Sequence, residues 1–199
     1  MAYIGMRKPK LWPISSRVDG SAITYGNPVN IGPAVRADVS FDTADNPDYG
    51  DDIIVDNDKG VNGYTVALET NDISKEARAA GLGWKPISSG TPPAVTHYEI
   101  TDAEPPEVGL SYIRVKMFKG TRTYEAFFFH AMQFSDGNES ASTKERQVTW
   151  NHPTMNGTGI GVFTDSTGEA HYFNWMEFET EAAADTWINS QGGYTPPSQ

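Results

Sequence analysis

The 199-residue chain contains no cysteine, and this absence excludes disulfide bonds and cysteine-ligated metal centres. It also lacks any apolar run of 18 residues, so we expect no transmembrane helix. The first residues carry charges but no apolar signal-peptide core. Synthesis in a cytoplasm, without secretion, fits these absences.

Leucine is scarce: the chain has four leucines against twelve isoleucines, twelve valines and 23 aromatic residues. β-Branched and aromatic side chains suit the half-buried surface of a pleated sheet and disfavour a helical bundle. The length allows one substantial core. We therefore predict a single, mainly β domain over residues 1–199.

Familiar catalytic motifs are missing too. The four histidines are far apart, without the spacing of a zinc site, and no G-x-S-x-G nucleophile elbow is present. Gly157, Gly159 and Gly161 fit neither nucleotide-binding glycine motif. Their spacing places them on one strand face, where another backbone approaches closely or the sheet bends. No catalytic residue, cofactor or metal ligand is predicted.

Charge is distributed unevenly around a net value of −11. Residues 1–36 sum to +4, whereas residues 42–59 carry seven aspartates and one lysine and so sum to −6. The chain from Glu177 onward has four acids and no base. Such asymmetry favours head-to-tail contact between copies, although scattered surface charge also serves solubility alone. An acidic surface argues against tight binding to phosphate backbones.

The acidic residues fall in a connection of unusual length. Residues 42–63 lie between two segments with strand alternation. This connection is much longer than those that ordinarily join strands, so we predict a long loop there. The aspartates lack the register of a calcium-binding EF-hand loop. The residues of this loop that we select as candidate contacts are Asp42, Asp45, Asp48, Tyr49, Asp51, Asp52, Asp56 and Asp58.

Helix signals occur twice. The first helix is predicted after Asn71 or Asp72 as the N-cap and ends at Gly81 as a left-handed stop. The second occupies residues 180–190 with Thr180 as its cap, and residues 191–199 are predicted to form a flexible tail. Residues 1–20 are predicted to form an N-terminal arm.

Alternation predicts several further strands. A long hairpin is expected to turn near Lys119 and Gly120. The segments RQVTWNHP and TMNGTGIGVF are expected to pair, and AHYFNWMEF to form the last strand.

The second strand of the long hairpin is apolar on both faces. Strict alternation places Phe127 and Phe129 opposite a first face made of Tyr124, Ala126, Phe128, Met132 and Phe134. A strand that is apolar on both faces must be covered on both. The cover for Phe127 and Phe129 is either the alanine-rich helix of the same chain or a neighbouring subunit.

The order of these segments resembles the major tail proteins, or tail-tube proteins, of long non-contractile-tailed bacteriophages. The resemblance covers roughly residues 20–163. It rests on YGNPVNIGPAVRADVSF, the acidic YGDD region, GYTVALE running into NDISKEARAAGLGW, SYIRVKMFKGTRTYEAFF and STKERQVTWNHPTMNGTG. It implies a β-sandwich or half-barrel with one short flanking helix. The C-terminal segment fits the family less well.

The resemblance also implies a function. Six copies would join their sheets into a ring, and rings would stack into the tail tube, a conduit for DNA ejection. The partners would be the chain itself together with tape-measure, tail-tip and tail-terminator proteins, and DNA would pass without specific binding. The acidic balance of the chain adds the expectation that carboxylates line the bore and repel phosphate. The location would be the virion tail, after synthesis in the bacterial cytoplasm and without a membrane.

In this setting the acidic loop is a hypothetical ring-to-ring arm that orders only against a neighbour. Two basic sets are its expected partners: Arg7, Lys8 and Lys10 near the N-terminus, and Arg114, Lys116, Lys119 and Arg122 in the long hairpin.

Two other classes of function compete with this one. A monomeric carbohydrate- or ligand-binding β-sandwich would use some of the five tryptophans as stacking platforms. An enzyme would need a carboxylate pair that the sequence does not single out. We expect core or interface roles for the tryptophans, because most have apolar neighbours in the sequence.

Overall fold

The computed structural model describes residues 2–50, 53–89, 95–136, 151–163 and 165–197. The predicted class is confirmed: the chain is mainly antiparallel β, with two helices beside one large sheet. In chain order the elements are β1 (Ala2–Ser16), β2 (Thr24–Tyr25), β3 (Val29–Asn30), β4 (Ala34–Gly50), β5 (Ile53–Thr70), α1 (Lys75–Leu82), β6 (Lys85–Ser89), β7 (Val95–Glu99), β8 (Glu107–Phe118), β9 (Thr121–Asp136), β10 (Thr154–Gly159), β11 (Phe173–Phe178) and α2 (Glu181–Gln191).

The large sheet has the strand order β2-β1-β8-β9-β10-β5-β4, with β3 added to β1 and β11 added to β9. Its curl brings β4 back beside β1 without a hydrogen-bonded ladder between the two strands in the described chain. Strands β6 and β7 form a separate hairpin. The sheet is therefore a half-closed barrel with a seam between β1 and β4.

Strand β9 is covered on both faces by helices of its own chain. One face packs in a core that includes Phe129, Met132 and Phe134 and is covered by α1; the other carries Ala126 and Phe128 and is covered by α2. The prediction that Met132 and Phe134 share a face with Phe128 is wrong. Between two adjacent pairs of the ladder β8 advances by two residues and β9 by three, and this bulge reverses the alternation.

The helix ends follow the capping rules at slightly different residues from those predicted. Helix α1 begins after Ser74, whose Oγ accepts from the Ala77 backbone N–H at 3.1 Å, and ends at Gly83 in the left-handed conformation. Gly81, the predicted stop, lies inside the helix, where an added Cβ would stand 2.7 Å from Leu11 Cδ1. For α2 the predicted cap is confirmed, because Thr180 accepts from the Ala183 N–H.

The N-terminal residues form a strand of the sheet, so the predicted arm over residues 1–20 is wrong. Strand β1 pairs with β8 along most of its length, and its Leu11 and Trp12 are fully buried. The Trp12 indole N–H donates to Ser111 Oγ at 2.8 Å. The predicted flexible tail is also partly packed, since Gly192 and Tyr194 lie against the Trp12 ring.

The described part of residues 42–63 is not an irregular loop. Strands β4 and β5 pair through this region as far as the Gly50–Ile53 pair, with bulges on the way. Strand β10 pairs with β5 and β9. Its expected partner RQVTW lies in residues 146–150, outside the described residues. The alternate glycines of this segment accommodate aromatic rings; that of Tyr64, for example, occupies the space beside Gly159.

Candidate assembly surfaces

The distal half of the β4–β5 hairpin carries the acidic residues, and we call residues 42–63 the acidic hairpin. Its backbone register pairs Asp45 with Lys59, whose Nζ lies 3.9 Å from Asp45 Oδ1. Both side chains are about two-thirds exposed, so this pair contributes little stability. Asp48, Tyr49, Asp56 and Asp58 lie within the strands, whereas Asp51 and Asp52 lie outside the described residues.

In the part of the acidic hairpin that the structure describes, the contacts with the body lie near its base. There Phe41 contacts the rings of Tyr64 and Phe173, and the Tyr172 hydroxyl donates to the Val61 carbonyl. Beyond this point, within the described residues, the two strands have ladder partners only in each other. Phe41 is 45% exposed and Ile53 is 65% exposed, so apolar surface accompanies the charge.

The N-terminal cations already have acidic partners in their own chain. Arg7 Nη1 lies 2.6 Å from Glu181 Oε2, and Lys10 Nζ lies 2.6 Å from Asp185 Oδ1 with Lys8 nearby. Partial burial raises the pKa of Asp185, but hydrogen bonds from Lys10 and Lys8 outweigh it and hold the pKa below its usual value. These contacts join β1 to α2, so the expected pairing of this basic set with the acidic hairpin has an intrachain competitor.

In the second basic set, Arg114 and Lys116 are also paired with a carboxylate of their own chain. Glu125 is buried and accepts from Arg114 Nε at 2.8 Å and from Lys116 Nζ at 3.0 Å. Burial raises the pKa of Glu125, yet the hydrogen bonds from Lys116 and Arg114 hold the pKa below its usual value. Lys119 and Arg122 lie at the exposed turn between β8 and β9, and neither forms an ion pair with any residue in the described ranges.

Phe127 and Phe129 contribute to a ladder of rings on one sheet face. Phe129 is 1% exposed, so it belongs to the core and is not available to a neighbour. Phe127 is half-buried and stacks on Tyr112, Phe173 and Trp175, with the last ring 6.4 Å away at 19°. The Arg114 guanidinium lies between the rings of Phe127 and Tyr3. A row of stacked groups thus crosses β1, β8, β9 and β11.

Two surfaces were missed by sequence reasoning. Strand β11 exposes Trp175 (56%) and Met176 (49%), and its described backbone pairs only with β9. The seam between β1 and β4 contains a groove of about 390 Å³, lined by Tyr3, Gly5, Met6, Val35, Arg36, Ala37, Val39, Tyr112 and Arg114. For the first surface, the available sequence signal was two consecutive apolar residues in the last predicted strand, where alternation would place one of them on a solvent-facing side. The groove depends on sheet curl, which has no local signature.

A polar cavity of about 380 Å³ lies at the C-terminal end of α2. His130 and His171 line it with Tyr25, Asn174 and Gln191. Burial lowers the pKa of His130 despite a hydrogen bond with Asn174. The sequence did not distinguish this histidine from the other three, because burial is a property of the fold.

No protein-family model matches the chain, and no curated protein matches it. Within the described residues, no cluster of three or more potential metal-ligating side chains is present, and no helix has the length and apolarity needed to cross a membrane.

Proposed function

We propose that the chain is a structural subunit that assembles with copies of itself into stacked hexameric rings, forming the tail tube of a long-tailed bacteriophage. The observation that carries this proposal is the acidic hairpin. A stable sheet continues into a paired, charged extension whose contacts with the body, among the described residues, lie at its base. Unsupported strand pairs are marginal in water, so an extension of this kind gains stability from docking.

The expected docking contact is heterologous. The hairpin sums to −6 and meets a different surface on the next ring, and such contacts repeat along an axis without closing. Lys119 and Arg122 are the better complement, because Arg7, Lys8 and Lys10 are already paired with α2. Opposite charge orients the approaching copies before apolar side chains such as Phe41 are buried.

An acidic subunit also suits a conduit for DNA. Tight binding to a phosphate backbone requires lysine and arginine to displace counterions, and a chain of net charge −11 supplies few free cations. DNA would therefore slide without being held. Tape-measure, tail-tip and tail-terminator proteins would be the other partners in this proposal, with the virion tail as the location.

Shortening the acidic hairpin tests the proposal. Replacing residues 45–59 by Asn-Gly joins Ala44 to Gly60, which are paired in the register, through a turn typical of hairpins. We expect a folded protein, shown by an unchanged cooperative unfolding transition, that forms no tubes by negative-stain microscopy. The unaltered chain at the same concentration is the control, and normal tubes from the shortened variant would refute the role of the hairpin.

A monomeric ligand-binding β-sandwich is the second candidate, and the exposed indole of Trp175 favours it. An aromatic face beside the carboxylate of Glu177 suits the apolar face and hydroxyls of a sugar. Sedimentation separates the two candidates. A binding module remains a monomer at every concentration and shows quenching of Trp175 fluorescence by its sugar, whereas a tube subunit associates.

A further inference from the structure

We propose that β11 of one copy docks along β1 of a second copy, with Trp175 entering the groove between β1 and β4. This inference rests on the proposed self-assembly and names the side-to-side contact, which is separate from the acidic hairpin. Its elements are the two incompletely paired edges of the four-strand unit β1-β8-β9-β11.

The unpaired edges lie on opposite sides of this unit. In the described chain, β11 forms a backbone ladder only with β9, and residues 2–8 of β1 form one only with β8. The Pro9 carbonyl accepts from the Ile31 N–H, and the ladders of β1 with β3 and β2 begin at Lys10 and Ile14. Three strand spacings of about 4.8 Å separate the two edges by roughly 14 Å. Pairing between them must therefore join two molecules.

The strand directions suit such a junction. Each neighbouring pair in the unit is antiparallel, so β11 runs opposite to β1. A second copy placed beside the first without inversion therefore presents its β1 antiparallel to β11. The new ladder would satisfy backbone groups on both edges, and repetition of this heterologous contact closes a ring when the rotation permits.

Side chains indicate which surface fills the groove. Trp175 stacks on Phe127, on the face of the sheet that also carries Arg114 and Tyr3. A sheet that continues from one copy into the next therefore brings Trp175 to the groove face of the next copy. The groove presents apolar side chains of Met6, Val35 and Val39. A half-exposed indole beside such a groove is the type of residue that dominates interfaces.

Charge supports the same occupant. Glu177 follows two residues after Trp175 on β11, and its side chain is 41% exposed. The groove is bordered by Arg36, which is 67% exposed. A carboxylate carried into this border gains a cationic partner in addition to Lys116 of its own chain, and Arg36 gains an anionic partner in addition to Asp38.

Cysteine crosslinking can be directed to chosen positions because the chain has no cysteine of its own. Gly5→Cys lies on the β1 edge, where an added Cβ meets no atom within 4 Å, and Glu177→Cys lies on β11. Mixing the two variants with a short bismaleimide should link one copy to the other. Gly60→Cys, which is equally unobstructed but lies on the acidic hairpin, is the matched control and should not link to Glu177→Cys.

A substitution tests the indole itself. Trp175→Ser should weaken association by about tenfold or more in sedimentation, whereas Ile100→Ser, at a 69% exposed site outside both β1 and β11, should leave it unchanged. The inference would be overturned by equal effects of the two substitutions, by association without the crosslink between positions 5 and 177, or by a monomer at every concentration. Tubes without the link would leave the proposed function intact, and the link without tubes would refute the tube alone.

Discussion

The β8–β9 and β4–β5 hairpins are both long antiparallel ribbons, yet they have opposite surroundings. The first is flanked by β1 on one side and by β10 and β11 on the other, and both of its faces lie under helices. The distal part of the second has no flanking strand among the described residues. Burial makes the first hairpin the framework of the fold, whereas the second remains available for contacts between molecules.

The largest expected contrast is in core truncation. Phe129→Ala, in the β8–β9 framework, should lower the free energy of unfolding by about 3–5 kcal/mol, because it removes a fully buried ring. Phe41→Ala, at the base of the acidic hairpin, should cost roughly 1 kcal/mol, since that ring is 45% exposed. Urea denaturation measures both, and similar losses would contradict the distinction.

Ion pairs should show the same contrast at a smaller scale. Glu125→Gln leaves Arg114 and Lys116 without their shared carboxylate, and we expect a loss of about 2 kcal/mol, less than for a fully buried pair because Arg114 is partly exposed. Asp45→Asn in the acidic hairpin should change stability by less than about 0.5 kcal/mol. A double-mutant cycle with Lys116→Met would isolate the coupling energy between Glu125 and Lys116.

Acidification should act on the framework in two separate windows. Burial lowers the pKa of His130, so the unfolded chain binds more protons than the folded one once the pH falls through 6.5, and stability decreases as the pH falls further. The pKa values of Glu125 and Asp185 are also lowered, so their contribution is lost only below about 4.5 and 3.8.

Chemical denaturation at pH 8 and at pH 5.5 measures the first window. The difference between the two values should be smaller in His130→Gln than in the unaltered chain. An undiminished difference in His130→Gln would assign the effect to other groups.

The smallest expected effect on stability belongs to the turn of the β8–β9 hairpin. The double substitution Lys119→Glu/Arg122→Glu alters exposed side chains, so the free energy of unfolding should change by at most about 0.5 kcal/mol. Stacking should nevertheless fail if these cations receive the acidic hairpin, and light scattering during assembly reports it. Lys75→Glu, on the first turn of α1, provides a single charge reversal away from this turn and should assemble normally.

Local patterns predicted the elements better than their arrangement. Alternation identified the strands around Val39 and Phe128, and the turn at Lys119 and Gly120 is confirmed, with both residues at positive φ. Thr180 was recognisable as a cap because capping depends on neighbouring residues alone. These features are determined within a few residues of the chain.

The errors share a non-local origin. Ordinary connections between strands are short, so the length and charge of residues 42–63 suggested a loop, but the two sides of this segment pair with each other as strands. The basic character of residues 7–10 suggested an arm, whereas their partners lie in α2 at the other end of the chain. The ring-face reversal in β9 arises from a bulge opposite Gly109, which only the paired strand reveals.

The pairing of β1 with β8 also governs when the molecule can finish folding. The hydrogen bond of Trp12 cannot form until Ser111, 99 residues later, has been synthesised, and that of Arg7 cannot form until Glu181, 174 residues later, has been synthesised. Bringing together such distant segments is slow, and during translation the partner must first leave the ribosome. A nascent chain therefore holds its first strand unpaired until β8 has been synthesised, and the cations of that strand lack their carboxylate partners until α2 has followed.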